Sequence, residues 1–158
     1  MANMNLAEKI HIVPIRATTT DTATFVTPHI NMKLYEKVEF VVMFGTLSGG
    51  SNVLTVTQDS TTAGTAGTTA IAARYRMPAA AGTDTMGAVT ALESTGLTLT
   101  YGTFTTKGII VDVESQDMTT ASKPYVGLTF TGANSATSTI WALCWPKYPT
   151  ATNASALT

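Results

Sequence analysis

The chain has 158 residues and a mass of 16.5 kDa, enough for one domain that buries roughly 70% of its unfolded surface without staples. Nine basic against ten acidic residues leave a net charge of −1, and charged residues make up 12% of the chain, about half the usual ~25%. A nucleic-acid binder needs a clustered basic surface to neutralise phosphates, so this balance argues against that class.

Threonine is the residue that stands out, with 32 copies. It is β-branched and suits strands, and its hydroxyl wets a surface without charge. A surface built from Thr, Ser and Ala in place of Lys and Glu fits a protein held in an assembly, where buried charges would have to be desolvated. Cys144 is the one cysteine, so an intrachain disulfide is excluded. The first ten residues lack a basic stretch followed by an apolar run, and the apolar runs fall far short of the ~18 residues that span a bilayer. Synthesis in the cytoplasm without a signal peptide, and no membrane partner, are the expectations.

In chain order, residues 1–8 read as an N-terminal arm and residues 9–149 as the folded domain. Residues 9–15 alternate as a short strand, with Pro14 suiting an edge or an end. Residues 16–22 are a Thr-rich connection ending at the turn former Asp21. Residues 23–27 form a brief β segment before Pro28, and 29–34 a tight turn. Then Val38, Phe40, Val42 and Phe44 alternate with Lys37, Glu39, Val41 and Met43, the period of two of a strand with one buried face. After the breaker cluster Ser48-Gly49-Gly50-Ser51 the alternation resumes, with Leu54 and Val56 on one side and Val53, Thr55 and Thr57 on the other. Together these two segments read as a long β-hairpin.

Residues 60–69 are a small-residue loop with no apolar anchor, expected to be exposed and mobile. Residues 70–77 form a strand with Ile71, Ala73, Tyr75 and Met77 opposite Arg74 and Arg76. Residues 78–87 make a second long loop. Residues 88–94 and 97–105 are strands, with Leu97, Leu99 and Tyr101 on one face and Gly102 as a bulge. Gly108–Glu114 places Ile109, Val111 and Val113 opposite Ile110, Asp112 and Glu114. Residues 115–123 form a polar loop closed by Pro124. Tyr125–Thr131 sets Val126, Leu128 and Phe130 on one face, and residues 132–136 turn. Residues 138–145 carry Ile140, Ala142 and Cys144 against Trp141, Leu143 and Trp145, and Pro146 stops the ladder. Residues 150–158 read as a flexible tail. Eight to ten strands with Gly- and Pro-rich connections and no helical period predict an all-β chain: a single antiparallel β-sandwich, jelly-roll-like, with long flexible loops.

Chemistry is hard to find along this chain. His11 and His29 lack the companions at short spacing that a zinc site needs, and read as a strand surface residue and a turn residue. Cys144 sits in an apolar strand and reads as a small hydrophobe. Asp112 and Glu114 share a strand face, as a glycosidase pair could, yet solvated strand charges are commoner. Asp112, Glu114 and Asp117 lack the spacing of an EF-hand calcium loop. The Gly-x-Ser-x-Gly elbow, the P-loop and the dinucleotide fingerprint are absent. Neither an enzyme, a metal site nor a cofactor is expected. Trp141, Trp145 and Tyr148 belong to a sandwich core or its rim on the preferred reading, with a sugar platform or an oligomer contact as alternatives. Arg74 and Arg76 either pair with acidic groups of a neighbouring subunit or form a solvated face.

Thr20-Asp21-Thr22, Val26, and then Met32-Lys33-Leu34-Tyr35-Glu36-Lys37-Val38-Glu39-Phe40-Val41-Val42-Met43-Phe44-Gly45 precede a Gly/Ser turn and Val53-Leu54-Thr55-Val56-Thr57-Gln58. In this order of segments the chain resembles small virion structural proteins of tailed bacteriophages, of the capsid decoration or cement type. The Leu-Lys-x-Tyr-like segment of such proteins stands here as Leu34-Tyr35 without the lysine. The resemblance implies a trimeric β-sandwich or jelly roll that clamps neighbouring copies of the major capsid protein on the capsid exterior of a virion. It points to residues 1–8 (Met1, Asn3 and Leu6 among them), 60–69, 78–87 and the tail as gripping segments. Arg74, Arg76, Trp141, Trp145 and Tyr148 are the other candidate capsid or oligomer contacts. A tail- or neck-associated virion component and a carbohydrate-binding β-sandwich module are the alternatives.

Overall fold

A computed structural model describes residues 9–132, 134–148 and 155–157. Within these the chain forms twelve strands: β1 His11–Asp21, β2 Phe25–Val26, β3 Ile30–Asn31, β4 Tyr35–Leu47, β5 Ser51–Asp59, β6 Thr69–Ile71, β7 Ala73–Arg76, β8 Thr90–Leu92, β9 Leu97–Thr100, β10 Gly108–Glu114, β11 Tyr125–Thr131 and β12 Ala136–Pro146. A single helical turn, α1 Tyr101–Phe104, follows β9, and a 3₁₀ turn, Ser115–Asp117, follows β10. The strands assemble into two antiparallel sheets packed as a sandwich. Sheet A runs β1-β12-β4-β10-β7-β8. Sheet B runs β2-β11-β5-β6, with β3 beside β2 on β11 and β9 beside β6 on β5.

The alternation in the sequence chooses the inward faces. Val38, Phe40, Val42 and Phe44 of β4 are all buried, as are Ile109, Val111 and Val113 of β10 and Ile140, Ala142 and Cys144 of β12. Sheet B answers with Leu54 and Val56 of β5 and Val126, Leu128 and Phe130 of β11. Each Val, Leu, Ile or Phe side chain so removed from water is worth about 1.5–3 kcal/mol. The sheets meet directly where Phe44 packs edge-on against Phe130 at 6.4 Å, with Phe25 stacked on Phe130 at 4.5 Å.

The expected hairpin is not formed. β4 and β5 lie in opposite sheets: β4 pairs with β12 on one edge and β10 on the other, while β5 pairs with β11 and with β6 and β9. The turn between them, with Gly49 and Gly50 at φ 57° and 58°, carries the chain across the core. Two strands whose apolar faces both point at the core satisfy the same alternation whether they lie side by side or face to face.

Other boundaries move as well. Residues 17–21 continue β1 instead of forming a loop, because their hydroxyls find cross-strand partners: Thr18 and Thr20 pair with Thr139 and Thr137 of β12 at 2.6 and 2.7 Å. The single strand expected over 70–77 is two, breaking at Ala72 where the chain passes from sheet B to sheet A. The strand expected over 97–105 stops at Thr100; Tyr101 is exposed and Gly102 lies within α1. Residues 60–69 have a polar anchor, since the Asp59 carboxylate accepts from the backbone N–H of Ser60, Thr61 and Ala66.

Residues 1–8, 149–154 and 158 lie outside the described residues, and with them the arm and most of the tail. The tail is nevertheless docked at Ala156, which is buried and accepts a 3.0 Å hydrogen bond from Asn31 N–H.

A candidate interaction surface on the outer face of sheet A

Strands buried on one face usually alternate with polar residues outside. Here the outer face of sheet A is apolar through its middle. The register sets Pro14, Trp141, Val41, Ile110 and Arg76 in one row across β1, β12, β4, β10 and β7. A second row holds Ile12, Leu143, Glu39, Asp112 and Arg74. Met43 extends the apolar patch along β4. Ile12, Met43 and Trp141 are exposed, Trp141 at 43% and Met43 at 49%. The outer face of sheet B is different in kind: Thr55, Thr57 and Thr129 are joined there by their own hydroxyl contacts.

Depressions interrupt this face. One of about 310 Å³ lies between Val41, Met43 and Ile110 and the 78–87 loop, which supplies Pro78, Ala81, Gly82 and Met86. A neighbour of about 230 Å³ is bounded by Glu39, Asp112, Arg74 and Arg76.

Most charges on the face are paired within the chain, two cations against four carboxylates, and Arg76 stands without an ion pair among the described residues. Lys37 Nζ lies 2.8 Å from Glu39 and 3.2 Å from Asp112, and Arg74 lies 3.1 Å from Glu114 and 3.2 Å from Asp117. Partial burial opposes the charge of Lys37, but its bonds to Glu39 and Asp112 outweigh that cost and raise its pKa. Asp117 also accepts from Glu114 N–H at 2.8 Å, tying the 3₁₀ turn to the end of β10. The Asp112 and Glu114 pair is therefore occupied in ion pairs.

The candidate contact residues divide accordingly. Trp141 and Trp145 stand on this outer face and not in the core; Lys37 covers the ring of Trp145 at 5.4 Å. Tyr148 is 80% exposed just beyond β12. Arg74 is engaged within its own chain, and Arg76 is exposed opposite Ile110. Met1, Asn3 and Leu6 lie outside the described residues. Val41, Met43 and Ile110 are the members of the patch that the sequence reading left unused. Their signal was present, since Phe40–Phe44 and Ile109–Val111 are continuous apolar runs and so apolar on both faces.

A separate polar cluster is buried in sheet B. His29 lies in the connection between β2 and β3, as expected of a turn residue, and is fully buried there: Nδ1–H donates to Thr27 C=O at 2.9 Å, and Nε2 accepts from the Thr57 hydroxyl at 3.1 Å. Burial holds its pKa below the ordinary value, against the opposing pull of the Thr27 carbonyl and the Asp59 charge. Burial pushes Asp59 up, but its backbone donors win and its pKa is lowered. The Gln58 amide spans to Thr119 through Oε1 and Nε2. These bonds hold two loops to the end of β5. Among the described residues no three His, Cys, Asp or Glu are gathered to hold a metal ion, and no helix is long and apolar enough to cross a membrane. Cys144 is buried, and burial pushes its thiol up to about 12.

Comparison with family models, curated proteins and solved structures returns no match to this chain.

Proposed function

We propose that the chain is a non-enzymatic structural component of a bacteriophage virion, a capsid decoration or cement protein on the outer head surface that stabilises contacts between major capsid subunits. The observation that carries the reading is the apolar outer face of sheet A in a chain so poor in charge. A contiguous apolar patch rimmed by polar residues marks a surface that works covered. Summed over many copies, modest contacts of this kind stabilise a shell.

The winding of the chain supports the same reading. With β7 and β8 set aside, the sheets read β1-β12-β4-β10 and β2/β3-β11-β5-β6/β9. Taking β2 with β3 and β6 with β9, the eight positions pair first with last, second with seventh, third with sixth and fourth with fifth. That is the order obtained by rolling up one long hairpin, the jelly roll used in many capsid proteins. In this reading residues 1–8, the 60–69 and 78–87 loops and the part of the tail before the docked Ala156 grip the shell.

The test is quantitative mass spectrometry of purified virions from the source of this chain. A copy number within a few-fold of the major capsid protein is the expected result. A few copies per particle would move the protein to the tail or neck, and absence from particles would overturn both virion roles.

The exposure of Trp141 beside a depression favours a second reading, a carbohydrate-binding module. It predicts that glycans shift the tryptophan fluorescence. The apolar lining of that depression, with few groups to meet sugar hydroxyls, makes it the weaker of the two.

A further inference from the structure

The outer face of sheet A carries a projection and a recess side by side. Trp141 stands out from β12, and the recess of about 310 Å³ opens beyond β4, between Met43, Ile110 and the 78–87 loop. Strands in a sheet lie about 4.8 Å apart, so two spacings put the indole roughly 10 Å from the recess. We propose that this face binds a second copy of the chain about a two-fold axis, each Trp141 entering the partner copy's recess.

Three observations select a second copy over another occupant. A two-fold contact brings the same patch to itself, so the patch must supply both the knob and the hole, and this one does. Its charges must also tolerate their own image. Lys37 and Arg74 are each held between two carboxylates of their own chain, and the exposed Arg76 of β7 offsets part of the remaining negative charge, so the second copy meets no strong field of one sign. Finally, β1, β12, β4 and β10, about 4.8 Å apart and side by side for some six residues, cover with the short β7 and β8 roughly 500 Å² per copy, about 1,000 Å² for two, the lower bound for a specific interface. Such an area fits a dimer that dissociates on the order of micromolar. Face-to-face contact closes at two copies, where the phage resemblance implies three. The proposal competes with the shell for this one face, leaving the shell contacts to other segments, and it is tested on the purified chain alone.

The experiment is sedimentation equilibrium of the full chain from about 1 µM to about 1 mM. The expected mass rises with concentration to twice the 16.5 kDa of one chain. Trp141→Ser removes the knob, and Ala81→Phe fills the hole from the exposed loop; each alone is expected to stay monomeric with an unchanged circular dichroism spectrum. Mixed in equal amounts they should form a dimer again, because the first variant keeps an open hole and the second keeps its indole. In Trp145→Phe, where Trp141 is the one remaining indole, emission should move to shorter wavelength as the concentration rises. A wild-type chain that stays monomeric, a mass of three chains, a dimer that survives Trp141→Ser, or a mixture that fails to recombine would each overturn the proposal. If the wild type is monomeric and Trp141→Ser instead abolishes binding to capsids, the face belongs to the shell and the dimer is wrong while the virion reading stands.

Discussion

Gly127 lies so close to His29 that a Cβ on it would stand 2.4 Å from the imidazole Nδ1. The ring cannot swing away, because both nitrogens are bonded, to Thr27 and Thr57, and the residue is fully buried. Gly64 approaches the same ring from the 60–69 loop, at 2.4 Å from Cε1. Glycine on each side makes the slot that a buried imidazole needs.

Gly127→Ala is therefore expected to destabilise the fold by about 1–3 kcal/mol, the cost of overpacking a fixed site. Gly64→Ala adds backbone strain to the same clash, because Gly64 sits at φ 67°. Urea unfolding followed by fluorescence measures both. An unchanged midpoint for Gly127→Ala would mean that the ring is free to move.

Acid should weaken the protein below pH 6.5. His29 has a folded pKa below its ordinary 6.5, chiefly through burial, so the unfolded chain binds a proton that the folded chain refuses. Its contribution is complete above 6.5 and is lost as the pH falls through the folded value. His11, also lowered by burial, acts in the same direction, and Asp59 adds a further loss below its ordinary 3.8. Unfolding midpoints taken between pH 8 and pH 5 should fall, and His29→Asn should flatten the slope even if it lowers the whole curve.

Cys144 should be inert in the folded protein. Its thiol is buried and pushed up to about 12, so at pH 8 almost none is thiolate. A disulfide reagent is expected to react at least ~100-fold more slowly with the native chain than with the chain in urea. Fast native labelling would show that β12 opens locally.

Arg74→Ala should cost less than about 1 kcal/mol, because its ion pairs with Glu114 and Asp117 are partly exposed. Asp117→Ala should cost more, about 1–2 kcal/mol, since it also removes the acceptor for Glu114 N–H. High salt should shrink the effect of Arg74→Ala and leave most of that of Asp117→Ala.

Ala156→Asp should be worse than any surface charge, costing about 2–3 kcal/mol, because the position is buried against Asn31. A variant as stable as the wild type would mean that the tail is not docked in solution.

What could be read from the sequence was the set of inward faces. Gly108–Glu114 and Tyr125–Thr131 form strands at the expected bounds, since each is a short alternating run closed by turn residues. Neighbour relations were not legible. The alternation of β4 and β5 says which side chains meet the core and nothing about which backbone lies alongside, so it fits a hairpin and a core-crossing turn alike. Thr18 and Thr20 looked like loop residues because their partners, Thr139 and Thr137, are more than a hundred positions away. His29 left little trace, because its slot is made by two glycines distant in sequence. The interaction face was half visible: the apolar runs in β4 and β10 announced it, but only the register of β12 places Trp141 beside Val41.

The placement of β12 between β1 and β4 bears on how this protein is made. The first long strand is synthesised more than a hundred residues before the partner that joins it to the rest of sheet A. While the chain emerges from the ribosome, β1 and one edge of β4 wait with unpaired backbone groups. β12 must leave the exit tunnel before the sheet can close. Folding is thus expected to be slow, on the millisecond-to-second scale of sequence-distant β pairing. Chains truncated before residue 136 are expected to aggregate through those open edges.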